Sequence, residues 1–191
     1  MTELDLKNYP KEKIAMSFVK ANILGIIVAI PIAVLLAAFY FWIWKNSPTD
    51  NIIDSFFFSN FVLYAIVSFT LGTALHELIH GLLFAKYAKN GFKSVKFGVN
   101  WKTLTPYCHC SEPLQVKHYI LVSIMPAIIL GFIPYIIGIV IGSEALFLFG
   151  TLFTVVAVGD FIMVFLLLRE NKNAWVQDLP DEVGCIIYRA K

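Results

Sequence analysis

The sequence His-Glu-Leu-Ile-His at residues 76–80 lies inside an apolar stretch that runs from about Phe56 to Ala85. Residues i and i+4 of a helix lie one turn apart on the same face, so both imidazoles can reach one metal ion. The glutamate at i+1 can then reach a water on that metal. Ionisable residues are costly in a hydrocarbon-length segment, and their presence there indicates function. The motif therefore predicts a membrane helix that carries two metal ligands.

The composition is typical of a membrane protein. Hydrophobic residues make up 59% of the 191 residues and charged residues only 15%, whereas a soluble domain carries about a quarter charged residues. The net charge of +2 is too small to indicate a nucleic-acid partner. We expect a lipid bilayer, and no nucleic acid, among the partners of this chain.

The apolar residues gather in four blocks, each longer than the roughly 20 residues that a spanning helix needs. These blocks cover residues 21–44, 56–85, 119–141 and 145–168 approximately. We therefore predict an all-α bundle of four transmembrane helices, with residues 1–191 forming a single integral membrane domain. A cytoplasmic loop, 86–118, and a cytoplasmic tail, 169–191, complete the predicted topology.

The lysines and arginines predict the orientation. They concentrate in the N-terminal arm, in the loop 86–118 and in the tail 169–191, whereas the connection between the first two blocks has only Lys45. The positive-inside rule places positively charged segments on the cytoplasmic side. The prediction is a multi-pass protein of the cell membrane with both termini in the cytoplasm.

Asp160 is the candidate for a third metal ligand. Within the four blocks the deeply embedded acids are Glu77 and Asp160. Asp160 lies nine residues before Arg169, and His80 and His76 lie six and ten residues before Lys86. At the helical rise per residue these depths are roughly 14 Å, 9 Å and 15 Å from the cytoplasmic boundary. Asp160 is thus predicted at the height of the two histidines, where it could complete a His2Asp zinc site.

Simpler interpretations stay open for each of these residues. A buried histidine can bond a backbone carbonyl, and Asp160 can be a proton-relay or helix-packing carboxylate. Glu77 can orient a ligand without acting as a base. The hydroxyls that could line a polar path to the site can instead bond a carbonyl one turn back. These hydroxyls belong to Ser68, Thr70, Thr73 and Thr154.

Two strand-like segments lie in the loop. Val95, Phe97, Val99 and Trp101 alternate with more polar residues, which favours a strand, and a second extended piece is predicted at about Thr105 to Glu112. The two would form a small cytoplasmic β-hairpin between helices 2 and 3. Such a hairpin could hold an extended peptide by main-chain pairing or could merely cap the bundle. Cys108-His109-Cys110 lies in the second piece, but C-x-C alone is a poor zinc signature.

Four features together resemble a family of small bacterial multi-pass membrane proteins, the zincin metallopeptidases, and more distantly the site-2-type intramembrane metalloproteases. They are the motif at 76–80, Gly159-Asp160, the loop from Phe97 to Cys110, and the tail at Asp178-Leu179-Pro180-Asp181. The resemblance implies that His76, His80 and Asp160 hold Zn²⁺ and that Glu77 is the catalytic base. In contrast to site-2-type enzymes, Phe161 follows the aspartate and no Asn-Pro pair precedes it.

The expected function is therefore a zinc-dependent endopeptidase that cuts a membrane-protein or peptide substrate within the membrane or next to it. Two alternative functions stay open. One is a catalytically inactive, metal-bound membrane scaffold. The other is a transporter in which His76, His80 and Asp160 form a proton relay, although four helices without an internal repeat fit a transporter poorly.

Overall fold

The structure, a computed structural model, describes residues 9–46, 59–101, 105–179 and 183–189. It is mostly helical. Helix α1 spans Phe18–Trp44, α2 spans Phe61–Tyr87, and α3 spans Val116–Ile141. Helices α4, Glu144–Val156, and α5, Val158–Leu167, follow one another with a bend of 48°. The predicted start of the second span at Phe56 lies outside the described residues.

In the described part of the chain, three helices are long and apolar enough to cross a membrane. These are α1 from Val19, α2 and α3. The count reaches four if the bent pair of α4 and α5 forms one span, so the fourth span at 145–168 stays a prediction. The membrane character predicted from composition agrees with these helices, whereas the sidedness of the termini stays a prediction.

Helix α3 changes its geometry in the middle. It is α-helical over Val116–Pro126, widens to a π-helix over Ala127–Phe132, and is α-helical again over Ile133–Ile141. Proline has no backbone N–H to donate to the preceding turn, and π segments are common where the regular hydrogen-bond ladder is interrupted. The helix thus widens directly after Pro126, where the hydrogen-bond ladder loses a donor.

Among the residues that the structure describes, six strands form two sheets. Strands β2, Val95–Asn100, and β3, Thr105–Cys110, form an antiparallel two-stranded sheet between α2 and α3. A second, four-stranded antiparallel sheet has the order β1-β6-β5-β4. Its strands are β1, Lys11–Met16; β4, Leu114–Gln115; β5, Trp175–Asp178; and β6, Val183–Tyr188. This larger sheet was not predicted from the sequence, and the side of the membrane on which either sheet lies stays a prediction.

The chain divides into two compact units. The first comprises Met1–Leu24, Glu77–Met125 and Gly159–Lys191, and the second comprises Gly25–His76 and Pro126–Val158. This division into units does not test whether residues 1–191 form a single domain, which stays a prediction.

The first unit has a core shared by helices and strands. Its buried residues include Phe84 from α2, Tyr119 and Val122 from α3, Leu167 from α5, and Ile187 from β6. The alternation of β6 turns Cys185 and Ile187 inward, with no measurable exposure of either side chain. The tail is thus part of the same packed core as the helix that carries the histidines, because burial of these apolar side chains stabilises both together.

The second unit is held by aromatic contacts near one end of α1. The rings of Tyr40 and Phe147 stack with centroids 4.3 Å apart. Trp44 donates its indole N–H to the carbonyl of Ile139 at 3.0 Å, and the Tyr135 hydroxyl donates to the carbonyl of Leu36 at 2.9 Å. These bonds satisfy the polar ends of large buried rings.

The two-stranded sheet packs against α2 at a glycine. A Cβ atom added at Gly81 would overlap the ring of Phe97. Phe97 pairs directly with Cys108 across the sheet, and directly paired residues share one face of a sheet. This close approach lays that face, with both residues, against the helix one turn after Glu77.

Candidate metal centre

The two histidines of the motif lie on the inward face of α2. The exposed fractions of His76 and His80 are 4% and 8%, whereas Leu75 and Leu78 are 47% and 43% exposed. This difference follows from the helical period, since residues four apart share a face and their neighbours do not. Both imidazoles are therefore buried side by side, one turn apart.

Asp160 lies in the first turn of α5, three residues after the bend at Ala157, and its side chain is close to the two histidines. Its Oδ1 lies 3.3 Å from Nε2 of His80. Candidate ligand atoms of His76, His80 and Asp160 all lie within 4.8 Å of one another. Among the described residues this is the one group of three or more metal-ligating side chains with such spacing. The structure thus brings together the three residues that the sequence predicts as ligands.

A backbone carbonyl fixes the ring of His80. Nδ1 of His80 lies 3.1 Å from the carbonyl oxygen of Val122 in α3 and donates to it. This bond requires a proton on Nδ1 and directs Nε2 towards Asp160. Histidines that bind metals are almost always oriented by such a bond from their second ring nitrogen.

The donor set fits zinc. Catalytic zinc sites use three nitrogen or oxygen ligands and leave one position for water. Bonds of about 2.0–2.2 Å in a tetrahedral arrangement place neighbouring ligand atoms roughly 3.4 Å apart. The 3.3 Å between Nε2 of His80 and Oδ1 of Asp160 matches this spacing. The same distance also suits an ion pair between the two side chains, which is the alternative that a metal measurement must exclude.

Glu77 lies on the same helix, directly after His76, and is half-buried. Its charge reaches the two-stranded sheet. Burial raises the pKa of Cys108 to about 12, and the negative charges of Glu77 and Asp178 contribute to the shift. Glu77 is therefore near enough to Cys108 to act on it through space, on the side of α2 that Phe97 also covers.

The segment Cys108-His109-Cys110 does not form a second metal cluster within the described residues. Burial, followed by the charge of Asp178, raises the pKa of Cys110 to about 11, although a backbone hydrogen bond opposes the shift. Burial thus favours the protonated form of both thiols at neutral pH. His109 is directed instead to the tail, with Nδ1 3.5 Å from Oδ2 of Asp178.

Three of the four hydroxyls considered for a polar path bond within their own helix. Thr70, Thr73 and Thr154 donate to the carbonyls of Ile66, Phe69 and Gly150, at 2.8 Å, 2.6 Å and 2.8 Å. The carbonyl one turn back is thus the partner at each of these positions.

Sequence reasoning missed three contributors close to the site. Val122 acts through its carbonyl, so its side chain gives no sign of the role. Tyr119 and Asp178 are joined by a hydrogen bond between residues 59 positions apart. The run Val183-Gly-Cys-Ile-Ile-Tyr, rich in β-branched and aromatic residues, was a usable signal for a strand in the tail.

Comparison with known proteins agrees with this geometry. Residues 69–175, more than half of the chain, match the model of a family described as "Putative zincin peptidase". The chain belongs to this family. No curated protein and no solved structure matches the chain. The matched segment contains α2 from Phe69 onward, all of α3 and Asp160, and it ends at Trp175, before Asp178.

Proposed function

We propose that the protein is a zinc-dependent endopeptidase that hydrolyses a peptide bond within the membrane or next to it. The observation that carries the proposal is the grouping of two imidazoles and one carboxylate within 4.8 Å on apolar helices. The bond from His80 to Val122 and the membership in a zincin family support it. A distant relationship to site-2-type proteases is part of the proposal.

The roles of the residues follow from their chemistry. His76, His80 and Asp160 would hold the ion, which when bound supplies an acidified water and polarises the carbonyl of the scissile bond. Glu77 accepts a proton from the attacking water as general base. It then donates this proton to the leaving amine nitrogen, so that the C–N bond breaks without a net change in the protonation of the enzyme. The bond to Val122 holds a proton on Nδ1 of His80, so that Nε2 is the nitrogen that would face the ion.

The surroundings favour a membrane-embedded or juxtamembrane substrate. The motif lies in a helix of 27 residues whose outward side chains are apolar, and Leu71, Leu75 and Leu78 are 60%, 47% and 43% exposed. Such a surface is suited to lipid, because leaving it in water costs free energy. Residence in the cell membrane with both termini in the cytoplasm completes the proposal, on the distribution of lysine and arginine.

A proton relay is the second candidate function. The 3.3 Å approach of His80 and Asp160 is the observation that favours it, because the two side chains could exchange a proton directly. A relay does not require zinc, whereas the peptidase does. An inactive scaffold would bind zinc and need no base at Glu77.

Metal removal tests the proposed function. Purified protein in lipid nanodiscs is dialysed against a zinc chelator and given β-casein and a labelled single-span peptide as substrates. We expect cleavage of either substrate to stop in the metal-free protein and to return when about one zinc per chain is restored. Product peptides would be identified by mass spectrometry. Cleavage that persists in protein shown to contain no metal would contradict the peptidase mechanism.

A further inference from the structure

Asp178 is a partly buried carboxylate that the proposed mechanism does not use. It lies in β5 of the tail, and its side chain is 12% exposed. It accepts hydrogen bonds from the hydroxyl of Tyr119 and from the backbone N–H of Cys110, the latter at 3.3 Å. Nδ1 of His109 lies 3.5 Å from Oδ2, the same carboxylate oxygen that accepts from Cys110. One carboxylate thus joins the tail to both α3 and β3.

The neighbouring residue strengthens this attachment. Gln177 donates its side-chain N–H to the carbonyl of Ser111 at 3.1 Å and accepts from the hydroxyl of Tyr188 at 2.8 Å. Gln177 and Asp178 therefore bond to the backbone of Ser111 and Cys110, at the end of β3. Hydrogen bonds that share buried partners reinforce one another and make their surroundings rigid.

The attachment reaches the candidate metal centre through α3. Tyr119, which donates to Asp178, lies three residues before Val122, whose carbonyl accepts from His80. Residues three apart share a face of a helix. The ring of Tyr119 also packs against Phe84, with centroids 5.8 Å apart, one turn after His80 on α2. The hydroxyl of Tyr119, which bonds to Asp178, and the carbonyl of Val122, which bonds to His80, thus lie about one turn apart on α3.

We propose that Asp178 is a positioning residue for the candidate metal centre. It holds α3 where the carbonyl of Val122 orients the ring of His80. Without the carboxylate, the hydroxyl of Tyr119 and the N–H of Cys110 are buried without an acceptor, which is costly enough to favour a shift of the helix. The inference rests on the proposed zinc site, and it extends that site to a tail residue beyond the segment that matches the family.

Zinc affinity tests the role. The Kd of zinc is measured by chelator competition, at a temperature well below unfolding, for wild type, Asp178→Ala, Tyr119→Phe and the double variant. Tyr119→Phe removes one oxygen atom and keeps the ring packing, so it reports on the bond even if Asp178→Ala folds poorly. The control is Glu12→Gln, which removes an exposed acid of the same sheet that pairs with Arg189 at 2.6 Å.

We expect each single variant to weaken zinc binding about 10-fold, as removal of a residue that orients a ligand typically does. The double variant should bind zinc as tightly as the single variant with the lower affinity, because both substitutions remove the hydrogen bond between Tyr119 and Asp178. The visible spectrum of the Co²⁺-loaded protein should change in these variants and stay unchanged in Glu12→Gln.

Two results would overturn the inference, and they differ in what they say about the proposed function. If wild type binds zinc and both single variants match its Kd and its Co²⁺ spectrum, Asp178 only stabilises the fold and the peptidase proposal stands. If wild type binds no zinc, the proposed function fails and the positioning role fails with it.

Discussion

Replacement of Glu77 by glutamine is expected to lower kcat/KM by about 10³-fold while the protein keeps its zinc. The amide has the shape of the carboxylate but cannot accept a proton from water. Glu77 is not among the three clustered ligand residues, so the metal content should not change. Cleavage rates of the labelled peptide and zinc content are measured on the same preparation of each protein.

Glu144→Gln is the matched control for Glu77→Gln, since it removes the glutamate of another apolar helix, at the first turn of α4. Its activity should equal that of wild type. If Glu77→Gln cleaves as fast as the control, Glu77 is not the base. If it loses activity together with its zinc, Glu77 supports the metal rather than the proton transfer.

Replacement of Asp160 by alanine is expected to weaken zinc binding by more than 100-fold, beyond the effect of losing a residue that only orients a ligand. The variant removes the single carboxylate among the clustered ligands and leaves two imidazoles from one helix. The Kd is measured by the same chelator competition, with circular dichroism to show that the helices persist.

Asp160→Asn separates charge from shape at this position. It retains an oxygen at a similar place but not the negative charge, and its zinc affinity should fall between those of wild type and Asp160→Ala. Unchanged zinc affinity in Asp160→Ala would mean that the carboxylate only bonds to His80, 3.3 Å away, and the site would lose its third ligand.

Local patterns in the sequence predict much of the fold and of the candidate site. The apolar blocks predict α1, α2 and α3 within a few residues, where the helices are described. The i, i+4 spacing predicts that His76 and His80 share a face, and both are buried together. Counting residues from the charged helix ends predicts the height of Asp160, because helical rise converts sequence distance into depth.

Features that depend on distant pairing could not be predicted in the same way. Strand β1 pairs with β6, and Lys11 lies opposite Tyr188. Neither strand shows in its own residues which partner it takes. The bend between α4 and α5 has no proline to signal it, and the fourth apolar block therefore resembles one straight span. The role of Val122 could not be predicted for a different reason. Val122 acts through its backbone carbonyl, and every residue type has one.

X-ray absorption at the zinc edge tests the central claim most directly, because it identifies the atoms bound to the metal. The account predicts about one zinc per chain with two imidazole nitrogens and carboxylate or water oxygens at about 2.0–2.2 Å. It predicts no sulfur neighbour, although Cys108, Cys110 and Cys185 are all free thiols. A sulfur shell at about 2.3 Å, or protein that takes up no zinc, would contradict the assignment of the metal to His76, His80 and Asp160.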